Sequence, residues 1–366
     1  MKIAFFHNLP PGGAKRVVYE EVKGLSKNNE ITLFEFSSTD ESFLDIRPYV
    51  KKTLRFGFDI ESKLPFFLKR LEKDYLNFFK LPRISKEMAQ TINNNFDIAI
   101  VHPDRFTQSP FLLRYLRVPD VYYSEELLRI AYERQFKFND KVLFLKKIYE
   151  NATRLLRKEI DRKNARAAKL ILTNSNFIKG KIKVAYGKNS LVCYPGVDTR
   201  VFKNNGLFRK KKILFIGNKN KNNGWNVVAE AILKIPARIR PKLEVLDFGL
   251  KGSKIINDRT LAKKYSQGIA TICADHNEPF GLVAIESMAC QTPVIAIAEG
   301  GYKETVIDGK TGYLIPRKAD ILAKKIVFLI ENPKILEKMG KTAREHVRNN
   351  FSWQDHIKIL ERVLNV

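Results

Sequence analysis

Short apolar runs bounded by polar or turn residues alternate along this chain with stretches of helical spacing, the pattern of a parallel α/β protein. In the first half, Ile3 to Phe6, Ile31 to Phe36, Phe96 to Val101, Val121 to Tyr123 and Leu170 to Thr173 predict strands. In the second half the strands are predicted at Lys212 to Ile216, Leu243 to Phe248, Ile269 to Cys273 and Val294 to Ala298. Helices fill the intervals. One starts at Ala14 and packs through Val17, Val18, Val22 and Leu25; others cover Val227 to Lys234, Ala319 to Ile330 and the tail beyond Trp353. Residues 133–168 read as a long Lys- and Arg-rich helix with Leu143, Leu145, Ile148, Leu155, Leu156 and Ile160 as packing positions. Residues 63–80 are amphipathic, with Leu64, Phe67, Leu68, Leu71, Tyr75, Phe78 and Phe79 on one face and Lys69, Arg70, Lys73 and Lys80 on the rest. Such spacing predicts a helix packed on its own domain; an aromatic and basic helix lying in a membrane interface is the alternative.

The densest pattern is residues 270–313, which read as strand, polar loop, helix, strand and Gly-Gly turn: a βαβ unit. The helix is expected to start at Pro279, since proline suits a first helical turn. It then runs through Leu282, Val283, Ala284, Ile285, Ser287, Met288, Ala289 and Cys290 until Thr292-Pro293 stops it. Two carboxylates stand out, Glu278 just before this helix and Glu286 two turns into it. The amides of Phe280, Gly281 and Leu282 lack intrahelical acceptors and lie at the positive end of the dipole, so they suit a phosphate. Gly281 lets a ligand approach the backbone closely. Glu278 can accept hydrogen bonds from sugar hydroxyls, and Glu286 from a diol such as a ribose edge. The plainer reading makes Glu278 a cap and Glu286 the partner of a lysine. Against it, Glu286 lies among apolar neighbours, where an unpaired charge is expensive.

Glu278-Pro279-Phe280-Gly281-Leu282, with Glu286 following, resembles the Glu-x7-Glu signature of retaining GT-B glycosyltransferases of family 4. The Glu286-Ser287-Met288-Ala289, Thr292-Pro293-Val294, Gly300-Gly301, Glu304 and Asp308-Gly309-Lys310-Thr311-Gly312 segments match that family too. The resemblance implies an α/β, GT-B architecture of two Rossmann-like, doubly wound domains facing a central cleft. Tyr194-Pro195-Gly196-Val197-Asp198 resembles the family's linker, and Pro and Gly mark a boundary there. Residues 1–194 would then form the acceptor-side domain, 195–350 the nucleotide-sugar domain, and 351–366 a helix returning to the first. By the same resemblance Glu278 would contact the donor sugar and Glu286 the ribose, while the amides of Phe280, Gly281, Leu282 and Val283 would hold the diphosphate. Gly12 and Gly13, after the first strand, would close over it.

Several positions differ from the family. Many members carry a strand ending Tyr-Tyr-Cys-His-Glu-Pro-Pro-Arg; this chain keeps Tyr122, Tyr123, Glu126 and Arg129 but has Glu125 where the family histidine stands. His102 ends the Phe96 to Val101 strand, where a side chain either faces the ligand crevice of a doubly wound sheet or is a satisfied edge residue. In the loop from Gly217 to Gly224 the family usually carries an Arg after the first Gly and a Lys before the second. Here those places hold Asn218 and Asn223, with Lys219 and Lys221 nearby as the candidate phosphate cations. The interval from Gly249 to Glu278 looks short for the family, which leaves the base pocket unread.

Composition narrows the classes. A chain of 366 residues suits two domains, and 44% hydrophobic with 11% aromatic content makes it globular. Cys193, Cys273 and Cys290 are scattered with no zinc spacing, and read as reduced core residues. The N-terminal apolar run is too short for a signal peptide, and no apolar stretch reaches the length of a membrane span. The expected location is cytoplasmic, soluble or peripheral on the inner face of a membrane. A net charge of +27 fits nucleic acid, an anionic membrane surface or anionic substrates. No helix-turn-helix, zinc finger or ribonucleoprotein strand appears, so no nucleic-acid partner is expected. No Asp-x-Asp pair occurs, and neither a metal nor an organic cofactor is expected beyond the nucleoside diphosphate sugar as co-substrate. The resemblance thus implies a retaining, metal-independent hexosyltransferase acting on a hydroxyl acceptor. The basic surface and aromatic helix favour a lipid-linked or cell-envelope glycan in that role. The alternative is a catalytically impaired sugar-nucleotide-binding or scaffold protein on the same fold.

Overall fold

The computed structural model describes residues 1–59, 65–133, 144–247 and 256–365. The chain divides into two compact units. The first comprises Met1–Asn174, Ile178–Cys193 and Glu361–Val366; the second comprises Ser175–Phe177 and Tyr194–Leu360.

The first unit is built on seven parallel strands. In chain order they and their helices are β1 (Lys2–Asn8), α1 (Gly13–Leu25), β2 (Glu30–Phe36), β3 (Lys52–Phe56), α2 (Phe66–Tyr75), α3 (Leu81–Asn95), β4 (Ile98–Asp104), β5 (Asp120–Ser124), α4 (Arg129–Tyr132), α5 (Phe144–Ala167), β6 (Leu170–Thr173), α6 (Asn176–Tyr186) and β7 (Leu191–Val192). The spatial order is β3-β2-β1-β4-β5-β6-β7. Ile3 pairs with both Ile31 and Ile98, so β1 lies at the centre. Sequence order therefore reverses between β1 and β4, and the carboxyl ends of these two strands flank the switch point where doubly wound sheets take ligands. β1 and β4 are buried on both faces, which explains their unbroken apolar runs.

The second unit holds β8 (Lys212–Ile216), α7 (Trp225–Lys234), β9 (Lys242–Leu246), α8 (Asp258–Ser266), β10 (Ala270–Cys273), α9 (Leu282–Ala289), β11 (Val294–Ile297), α10 (Tyr302–Thr305), β12 (Gly312–Ile315), α11 (Ala319–Glu331) and α12 (Pro333–Asn350). A last helix, α13 (Trp353–Leu364), follows. Its five strands, also parallel, run β12-β11-β10-β8-β9. Here the reversal falls between β8 and β10. Leu214, Ile285, Met288 and Ala343 belong to the core on one face of this sheet; Ile213, Phe215, Val228, Ile272 and Ile326 belong to the other.

Three sequence expectations change. The long helix of 133–168 is observed as α5 from Phe144, after the short α4; residues 134–143, with Leu143, lie outside the described residues. Ile148, Leu155 and Leu156 are 51%, 68% and 46% exposed, so they are not packing positions. Within the 63–80 stretch, Phe66–Tyr75 forms α2 and Leu76–Lys80 a π-helical turn. Its stripe of Leu71, Tyr75 and Phe79 faces water rather than its own domain; Leu64 lies outside the described residues. The spacing groups these side chains on one face but does not decide whether that face meets protein or water.

Candidate functional site

Two regions gather the candidate residues, one at the switch point of each sheet. In the second unit, the loop from Gly217 to Gly224 leaves β8 and the loop from Ala274 to Gly281 leaves β10. The two are tied together. The His276 amide donates to the Asn222 carbonyl at 3.0 Å, and the Asn223 side-chain amide donates to the Asp275 carboxylate. Gly224 has φ of 71°, and a Cβ there would lie 2.3 Å from the Ala274 carbonyl oxygen, so only glycine permits this approach. Arg317 braces the same loop. Its guanidinium donates to the Ala274 carbonyl at 2.7 Å and to both Glu299 carboxylate oxygens at 3.0 and 2.6 Å.

Lys219 and Lys221 are exposed on the first of these loops, with the Lys219 ammonium 5.5 Å from the Trp225 ring centroid. Asn218 is half-buried, and its Oδ1 is buried without a hydrogen-bond partner. Asn223 is committed to Asp275, so the place of the family's lysine carries a neutral donor beside a carboxylate.

The helix expected at Pro279 begins instead at Leu282. Gly281 has φ of 102°, a left-handed turn that resets the chain direction after Pro279-Phe280 and leaves the proline outside the helix. The amides of Ala284 and Ile285 both bond to the Gly281 carbonyl, so Leu282 and Val283 supply the first helical amides without intrahelical acceptors. Phe280 is buried, its ring 5.5 Å from that of Phe351, and anchors the loop in the core. Glu278 is half-buried on the loop, its carbonyl accepting from the Gly301 amide at 2.8 Å. Glu286 is 5% exposed on α9 and accepts a hydrogen bond from the Tyr265 hydroxyl at 3.0 Å. Burial and this carboxylate together push the Tyr265 hydroxyl well above its ordinary pKa, which keeps it a donor.

In the first unit, the Asn8 amide donates to the Asp104 carboxylate at 2.8 Å across the switch point, and burial pushes Asp104 up to about 6. Gly12 is the N-cap of α1 and Gly13 its first residue. His102 does not face a crevice as one sequence reading held. It is fully buried, stacked between Phe5 and Tyr123 with ring centroids 5.2 and 5.3 Å away. Its Nε2 lies 2.6 Å from a Glu21 carboxylate oxygen and its Nδ1 3.7 Å from Glu125. Burial disfavours the imidazolium, but the Glu21 and Glu125 carboxylates outweigh it and push His102 up to about 9. Next to this array, the Lys15 ammonium sits 2.6 Å from Glu41 and 3.0 Å from His7. Burial dominates for His7 and lowers it to about 4, leaving that ring neutral.

Sequence reasoning missed Glu21, Lys15, Tyr265, Asp275 and Arg317. Glu21 had a signal: it falls on the Val17, Val18, Val22, Leu25 face, where a carboxylate needs a buried partner. Arg317 and Asp275 are joined by the strand order, which the linear chain does not display.

Comparison with known proteins completes the picture. Residues 11–201 match the model "Glycosyltransferase Family 4" and residues 254–346 match "Glycosyl transferases group 1". An uncharacterised glycosyltransferase of Methanocaldococcus jannaschii is 28% identical over 210 residues, 53% of this chain and 58% of that one, so the match spans little more than half of the relative. Sucrose-phosphate synthase from Thermosynechococcus elongatus superposes with a TM-score of 0.76 at 18% identity, over 100% of this chain and 98% of that one. The Anabaena protein HepE, in complex with UDP and glucose, gives 0.73 at 17% identity, over 100% and 99%. At these identities the superpositions establish the GT-B fold of two parallel-sheet α/β domains. The family rests on the model match over residues 11–201, more than half of the chain: the chain belongs to Glycosyltransferase Family 4, and its second half carries the Glycosyl transferases group 1 match.

Proposed function

We propose that this chain transfers a hexose from a nucleoside diphosphate sugar to a hydroxyl acceptor with retention of configuration. The observation that carries the reading is the α9 start: two free amides at Leu282 and Val283, a half-buried Glu278 before them, and Glu286 held by Tyr265 behind them. In this reading the amides and Lys219 or Lys221 hold the diphosphate, Glu278 orients the sugar, and Glu286 takes the ribose hydroxyls. The bound UDP and glucose of HepE support a nucleotide-sugar donor by analogy of fold. The acceptor oxygen bonds to the anomeric carbon on the face from which the phosphate leaves. The departing phosphate oxygen takes the acceptor's proton, so no protein base is consumed. Metal independence belongs to this proposal, with Lys219, Lys221 and the helix amides as the source of charge stabilisation. The acceptor is read as a lipid-linked or cell-envelope glycan, which would keep the enzyme peripheral on the inner membrane face. Glu125 would stand on the acceptor side, with His102 acting on it from below rather than touching substrate.

A second reading, a sugar-nucleotide-binding protein without transfer, is favoured by one observation: Asn223 is neutral and its amide is spent on Asp275. Donor turnover across a panel of uridine, guanosine and adenosine diphosphate sugars separates the two. Transfer or hydrolysis that falls at least tenfold in a Lys219→Ala/Lys221→Ala variant supports catalysis. Binding without turnover throughout the panel supports the second reading instead.

A further inference from the structure

The α2 stripe turned to water instead of inward, and it is held there firmly. Leu68, Leu71, Tyr75 and Phe79 are 37%, 52%, 60% and 61% exposed and follow one another at spacings of three, four and four. The Tyr75 and Phe79 rings lie beside each other at a tilt of 31°, their centroids 5.4 Å apart. Charged side chains of the same helix engage α5. Asp74 accepts from the Tyr149 hydroxyl at 2.6 Å and pairs with Arg157, and Arg70 reaches Glu150 at 3.0 Å. Helix α2 is therefore pinned to α5 through its charges, with its apolar stripe left outside. Of the large apolar side chains left exposed among the described residues, seven lie on α2, its π turn and α5.

The charge around this stripe selects its occupant. Helix α5 carries eight Lys and Arg against three acidic residues, and two of those acids, Glu150 and the buried Asp161, point into the protein's own hydrogen bonds. Lys80 on the π turn, Lys146 and Lys158 on α5, and Arg83 and Lys86 on the following α3 are exposed. A second copy of this chain would bring a like-charged face against it, and the net charge of +27 opposes that. Exposed Leu, Tyr and Phe rimmed by lysines fit instead the boundary of an anionic bilayer, where apolar side chains enter the acyl region and cations stay among the headgroups.

We propose that the α2 stripe with its flanking α5 cations docks this protein on anionic lipid bilayers. The proposal deepens the lipid-linked acceptor reading above and rests on it for its biological use, while the binding itself is independent of the donor site. Its test is co-sedimentation of the purified chain with vesicles of phosphatidylcholine alone and of phosphatidylcholine with 30% phosphatidylglycerol. The wild type is compared with a Leu71→Ser/Tyr75→Ser/Phe79→Ser variant and a Lys80→Gln/Lys146→Gln/Lys158→Gln variant. All three side chains of the first variant are exposed, so folding is retained; an unchanged melting transition and sugar-nucleotide binding verify this on the same preparations. The expected result is binding at least tenfold stronger to the anionic vesicles, lost tenfold or more in the apolar variant and weakened severalfold in the charge variant. Equal binding by the apolar variant would overturn the proposal, because attraction would then be generic. So would failure of the wild type to sediment, or a concentration-dependent dimer that the apolar variant abolishes without any vesicle binding. Loss of donor binding with vesicle binding intact would count against the catalytic reading and leave this one standing.

Discussion

At the residue scale, the site depends on carboxylates whose surroundings decide what they do. Glu286 is almost buried, and the Tyr265 hydroxyl is what keeps one of its oxygens in place. A hydrogen bond to a charged group contributes about 1.5–3 kcal/mol. Tyr265→Phe is therefore expected to weaken sugar-nucleotide binding by about tenfold or more, and to add little in a Glu286→Gln background. A double-mutant cycle read by calorimetry checks this; full additivity would mean the two residues act separately. Glu21 and His102 form the other decisive pair. The folded His102 pKa of about 9 stands above its ordinary value of about 6.5. The stability it contributes is thus fully present below about pH 6.5 and lost as the pH rises through about 9. Glu21→Gln should cost about 3–5 kcal/mol, the usual penalty for stranding one member of a buried pair. It should also flatten the alkaline decline of the melting temperature, which thermal unfolding from pH 6 to 10 measures. His7 works on the other side: its lowered pKa means stability falls as pH drops from about 6.5 toward 4.

At the element scale, the start of α9 is set by one backbone conformation. Gly281 adopts φ of 102°, and a Cβ there would lie 2.8 Å from the Tyr302 ring. Gly281→Ala should destabilise the protein by about 1–3 kcal/mol and displace the Leu282 and Val283 amides, lowering donor affinity as well as the melting temperature. An alanine variant that kept both would remove the helix start from the account. This element also marks how far the sequence could be read. The βαβ unit was legible in its apolar runs, and Glu286 was singled out because a carboxylate within such a run stands out. The helix boundary was not, since Pro279 is equally suited to a first turn and to the loop before one. Helix α2 was misjudged for a related reason: periodicity tells which residues share a face, but not whether that face meets protein or water. His102 was expected at a strand end, but β4 runs on to Asp104 and holds it inside the strand, and its burial follows from Phe5, Tyr123 and Glu21, which converge only through strand order.

At the scale of the whole molecule, two doubly wound units each put their switch point under the candidate residues: β1 and β4 in the first, β8 and β10 in the second. That recurrence follows from topology, because crossovers that reverse direction leave a crevice at the strands' carboxyl ends. A donor bound by the second unit should stabilise that unit. At a hundred times its Kd, a ligand adds about 2.7 kcal/mol to the state it binds, so a saturating sugar nucleotide should raise the transition containing the second unit in differential scanning calorimetry.

The most direct test is calorimetric titration of uridine, guanosine and adenosine diphosphate glucose into the wild type, Glu278→Gln and Glu286→Gln. The account predicts saturable binding of at least one of these donors, weakened about tenfold or more in each variant with the melting temperature preserved. Unchanged affinity in both variants, or no binding of any donor to the wild type, would contradict it.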